Sequence, residues 1–96
     1  MAQRIVHIER KGELYQMTLD TYKDTLLATD EYKKYYAHKT KSGESHFYSC
    51  EDATFENKTF HEIKVMTKES AMDQIAKLPD DAKSAAFNWT YKPKEL

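Results

Sequence analysis

Thr40-Lys41-Ser42-Gly43-Glu44 constrains this chain more than any other stretch. Gly43 is the only residue there that takes positive φ without steric cost, so the segment must reverse the chain. A type I turn with Gly43 as a G1 bulge pairs Thr40 with Glu44, His38 with His46 and Tyr36 with Tyr48. A two-residue Ser42-Gly43 turn would instead put Lys39 opposite His46. The bulge register is preferred, because serine suits the left-handed position less well than asparagine.

That turn joins a strand fitting Lys34–Thr40 to one over Ser45–Cys50. In the bulge register one face carries Lys34, Tyr36 and His38 against Cys50, Tyr48 and His46. The other carries Tyr35, Ala37 and Lys39 against Ser49, Phe47 and Ser45. Ala37 and Phe47 mark the second face as the core side. Tyr36, Tyr48 and the lysines are therefore expected outward.

Upstream, Arg4–Arg10 is rich in β-branched residues, Lys11-Gly12 supplies a turn, and Glu13–Leu19 alternates. The pair reads as an N-terminal hairpin. Asp20 or Thr21 then offers a cap, with Tyr22, Leu26 and Leu27 at helical spacing. Asp30 offers a second cap, with Tyr32, Tyr35 and Tyr36 behind it. One helix over Thr21–Tyr36 and a short helix followed by a strand both fit. Downstream, Asp52–Lys58 reads as a polar turn and Thr59–Met66 as a strand. Thr67 caps a helix over Lys68–Leu78 with an Ala71, Met72, Ile75, Leu78 stripe. Asp80 caps a short helical turn through Ala82–Ala86. Phe87, Trp89 and Tyr91 alternate as a last, core strand closed by Pro93. The expectation is an α+β single domain over residues 1–96. Its sheet is mostly antiparallel, of about five to six strands, with one or two helices on one face.

Composition narrows the function classes. The 15 basic and 16 acidic side chains give a net charge of −1, which disfavours a whole-protein electrostatic grip on DNA. Apolar runs are too short for a transmembrane helix, and the start lacks a secretory apolar stretch. These features predict a cytoplasmic protein. The single cysteine precludes an internal disulfide framework. His7, His38, His46, His61 and Cys50 fall in no zinc spacing. Cys50 shares a strand face with His46 but lies four residues along, roughly 13 Å, so a nucleophile pair is not expected. Neither metal, cofactor nor thiol chemistry is expected, and the protein is not expected to be an enzyme.

One segment stands above background. Lys33, Lys34, Lys39 and Lys41 interleave with tyrosines and histidines around the turn. Lys34, Tyr36, His38, Lys41, His46 and Tyr48 are the expected binding residues. Tyrosine-rich surfaces suit protein partners, and rings flanked by lysines also suit single-stranded RNA or DNA. The favoured reading is a small cytosolic module acting stoichiometrically on a larger protein as inhibitor or modulator. Its lysine-, glutamate- and tyrosine-rich, cysteine-poor composition is frequent among bacteriophage and bacterial accessory proteins, an analogy of composition alone. The alternative is a single-stranded nucleic-acid-binding module.

Overall fold

A computed structural model describes residues 3–90, apart from the side chains of residues 53–55, 59, 60, 89 and 90. Six antiparallel strands form two sheets. Strands β1 (Gln3–Arg10) and β2 (Glu13–Asp20) make a separate hairpin. Strands β3 (Thr25–Thr29), β4 (Lys33–Lys39), β5 (Ser45–Phe55) and β6 (Lys58–Met66) lie in chain order in the second sheet. Two helices follow, α1 (Lys68–Ala76) and α2 (Ala85–Thr90), separated by a short 3₁₀ turn at Asp80–Ala82. None of the described helices is long and apolar enough to cross a membrane.

The turns follow from residues that tolerate positive φ. Lys11 (φ 50°) and Gly12 (φ 77°) form a two-residue turn that pairs Arg10 with Glu13. Left-handed φ at both positions matches the twist of the flanking strands. Glu56 (φ 49°) and Asn57 (φ 64°) do the same between Phe55 and Lys58. Where a polar turn was expected over Asp52–Lys58, the turn is only Glu56 and Asn57, and β5 runs on to Phe55. At Gly43 (φ 92°), Thr40 N–H donates to Glu44 O and Gly43 N–H to Thr40 O. His38 faces His46 and Tyr36 faces Tyr48, as the bulge register requires.

No helix forms over residues 21–36, which corrects that expectation. The Asp20 carboxylate accepts from Tyr22 N–H, and the Asp24 carboxylate accepts from Asp20 N–H, both at 2.9 Å. These side chains satisfy turn donors locally and compete with helix continuation. The chain re-extends as β3, whose Leu27 and Ala28 are buried across a bulge between Leu26 and Ala28. The expected last strand is also corrected. Ser84 accepts from Phe87 N–H while its hydroxyl donates to Leu26 O. This cap starts α2, and Phe87 is buried from a helix. Tyr91 lies outside the described residues.

The four-stranded sheet is covered on both faces. Leu27, Ala28, Tyr35, Ala37 and Phe47 pack with Ala71 and Ile75 of α1 and Phe87 of α2. Thr67 caps α1 by accepting from Ser70 N–H, as expected. On the opposite face, Tyr36, Tyr48, Cys50 and Ile63 pack under Met17 and Leu19, with Val6 and Ile8 alongside. The hairpin is thus a third layer. Sheets covered on both sides carry near-continuous apolar runs rather than alternating ones, as Tyr35-Tyr36-Ala37 and Phe47-Tyr48 do.

Candidate functional site: a groove under the hairpin

Tyr36 and Tyr48 are not outward, which corrects their expected exposure. They are 7% and 0% exposed, and their rings stack with centroids 5.2 Å apart and 13° between planes. The hairpin covers them because its inner face, Val6, Ile8, Met17 and Leu19, needs an apolar partner of its own. Tyr36 and Tyr48 form the floor on which that face docks. Burial pushes both phenols above their ordinary pKa, and for Tyr48 the bond to Asp24 adds to it.

Asp24 ties these layers together. Its carboxylate, only 6% exposed, accepts from Tyr48 OH at 2.6 Å, from His38 Nδ1 at 2.7 Å and from Asp20 N–H at 2.9 Å. One side chain from the turn after β2 thereby holds β4, β5 and the end of the hairpin. Orienting an imidazole through Nδ1 fixes which nitrogen faces outward.

Beyond this tie the hairpin tip stands away from the sheet. A groove of about 930 Å³ opens between Ile8–Thr18 on one side and the Gly43 turn on the other. His38 and His46 line it, with Lys39 and Lys41 from the turn and Arg10, Lys11 and Tyr15 from the hairpin. Glu13 and Glu44 are its acids. Arg10 spans it to pair with Glu44 at 2.6 Å, and His46 Nε2 lies 3.5 Å from the same carboxylate. The Arg10 hydrogen bond holds the Glu44 carboxyl below its usual pKa. Tyr15 is half-exposed and donates to Glu13 at 2.6 Å, which raises its phenol.

Of the six residues expected to bind, the structure brings His38, Lys41 and His46 to this groove. It places Tyr36 and Tyr48 in the core. Lys34 sits apart, paired with Cys50 at the opposite end of the β4–β5 ladder. The hairpin side of the groove went unanticipated. A signal was present: Tyr15 and Ile8 share a face with Met17 and Val6, so they belong to whatever surface the hairpin covers.

A second cluster emerges on β5 and β6. Cys50, Asp52 and His61 place their sulfur, oxygen and nitrogen donors within 4.8 Å of one another. His61 Nδ1 donates to Asp52 at 2.5 Å. Burial pushes the Cys50 thiol up, Asp52 adds to this, and Lys34 opposes it. Sequence spacing missed this grouping because it arises across a hairpin. With Glu56-Asn57 read as a two-residue turn, Asp52 falls opposite His61.

No protein-family model, curated protein or solved structure matches the chain.

Proposed function

We propose that this chain is a non-enzymatic cytoplasmic binding module that takes a segment of a larger protein into the groove under the hairpin. The supporting observation is the lining of that groove. Arg10, Lys11, Lys39 and Lys41 outnumber Glu13 and Glu44, and Ile8, Tyr15 and Met17 supply apolar surface between them. A cleft of about 930 Å³ is large enough for several side chains of an extended segment. The fitting segment is acidic with an apolar or aromatic anchor, since charge complementarity sets association rate and register while buried rings carry affinity. The buried Asp24 is consistent with a binding role rather than catalysis, because both its oxygens already accept structural hydrogen bonds.

Binding of single-stranded nucleic acid has less support. The rings that would stack bases, Tyr36 and Tyr48, stack on each other under the hairpin. The test compares capture of a partner from host lysate by the parent, by Tyr15→Ala/Lys41→Glu and by Lys34→Glu, all checked for equal melting. Capture should fail only in the groove variant. Undiminished capture by that variant, or tight binding of short single-stranded RNA with a steep salt dependence, would overturn the reading.

A further inference from the structure

We propose that Cys50, Asp52 and His61 form a binding site for a divalent metal ion of the zinc class, with three protein ligands and a fourth position open to water. The site stands on strand geometry. The left-handed turn at Glu56 and Asn57 sets Asp52 opposite His61 and Cys50 opposite Ile63. Directly opposed residues share a face, as do residues two apart on one strand. One thiol, one carboxylate and one imidazole are therefore gathered on one side of the ladder, with every donor within 4.8 Å of the others.

Zinc bonds of about 2.3 Å to sulfur and about 2.0 Å to nitrogen and oxygen, at tetrahedral angles, put donors roughly 3.3–3.5 Å apart. Loading therefore requires small movements. His61 Nδ1 and Asp52 Oδ1, now hydrogen-bonded at 2.5 Å, separate to admit the ion between them. Both side chains can move, being 41% and 57% exposed, whereas Cys50 is fixed on a buried stretch of β5. The exposed pair leaves the open coordination position facing solvent.

Donor chemistry selects the ion. Calcium and magnesium require oxygen ligands, while a mixed sulfur, nitrogen and oxygen set suits zinc and its neighbours. A thiolate and a carboxylate neutralise a dication. Lys34, opposite Cys50, and Arg4, whose guanidinium donates to Ile63 O at 2.6 Å, oppose it and limit affinity. An exposed Asp–His pair beside an inert thiol would share the same backbone, so the discriminating property is whether sulfur enters the coordination shell.

Because the chain has a single cysteine, a thiolate-to-metal band reports this site alone. The experiment titrates reduced, chelator-treated protein with Co²⁺ and then competes with Zn²⁺. The parent should develop a near-ultraviolet sulfur-to-cobalt charge-transfer band that saturates at one equivalent and is displaced by Zn²⁺. Cys50→Ser should abolish the band. His61→Ala, at an exposed position that does not threaten folding, should weaken cobalt binding by more than about tenfold. Zn²⁺ should raise the melting temperature of the parent and not of His61→Ala. Absence of the band in the parent, or equal cobalt affinity in His61→Ala, would overturn the proposal. None of these readouts involves the groove, so its failure and that of the partner-binding reading are separate results.

Discussion

Replacing Asp24 with alanine should be among the most damaging single changes at a polar position. The substitution removes the acceptor of three donors; His38 is partly exposed, but two are buried, the hydroxyl of Tyr48, whose side chain is fully buried, and the N–H of Asp20, which is 5% exposed. Each orphaned buried donor costs about 1–3 kcal/mol, so the pair costs about 2–6 kcal/mol. A domain of this size holds only about 5–15 kcal/mol in total. At about 4–8 °C per kcal/mol, melting should fall by at least about 8 °C. Removing the opposite partner, in Tyr48→Phe, should cost only about 0.5–1.5 kcal/mol, because Asp24 keeps His38 and Asp20 as donors. In the Asp24→Ala background, Tyr48→Phe removes an orphaned hydroxyl and should be neutral or stabilising. Urea unfolding of the four proteins, with slopes checked for constancy, gives the coupling energy. Coupling of about 1 kcal/mol or more is expected. Additivity within about 0.5 kcal/mol would show that the Asp24–Tyr48 bond does not hold the layers together.

Two further outcomes follow from buried polar groups. The folded-state pKa of Tyr48 lies above its unfolded value of about 10, raised by burial and by Asp24. Its contribution is therefore complete below about pH 10 and is lost as pH rises toward the folded value. The urea midpoint should drop above about pH 10, and Tyr48→Phe should flatten that drop; an identical alkaline slope in both proteins would refute the assignment. The Ser49 hydroxyl is buried with no hydrogen-bond partner among the described residues. Ser49→Ala should raise stability by about 1–3 kcal/mol, measured by the same unfolding; a loss of stability would reveal a partner for that hydroxyl.

Residues whose local chemistry favours one solution were legible in the sequence. Gly43 favoured the β4–β5 register, Lys11-Gly12 marked the first hairpin, and Thr67 with the Ala71, Met72, Ile75, Leu78 stripe marked α1. The misreadings share a cause. Tyr22, Leu26 and Leu27 satisfy helical spacing, yet hydrogen bonds through Asp20 and Asp24 hold a turn there and leave Leu26 partly exposed. Phe87, Trp89 and Tyr91 alternate, yet the Ser84 cap, held on the outer edge of β3 by the Leu26 and Leu27 carbonyls, starts a helix there. The site suffered most. Pattern alone identified Ala37 and Phe47 as a core face. Where the first hairpin would land is a tertiary fact, so the Tyr36–Tyr48 face was assigned to solvent when it is also core. His38, Lys41 and His46 stay accessible because they line the groove where the hairpin tip stands away from the sheet.

Among the described residues, each strand ladder joins strands that are neighbours in the chain. Closing short loops removes little chain entropy, and the loss grows only slowly with loop length. The β-sheets can therefore form through local contacts, a topology that folds faster than one built from distant pairings. The long-range closures include the docking of Met17 and Leu19 onto Tyr48 and Ile63, and of α1 and α2 onto the other face. Until the hairpin docks, the Tyr36–Tyr48 face is bare, and such exposed apolar surface promotes association between folding chains. The hairpin thus acts as a cover that the nascent sheet must acquire early, and because β1 and β2 precede β3–β6 in the chain it is available before the strands it protects are synthesised.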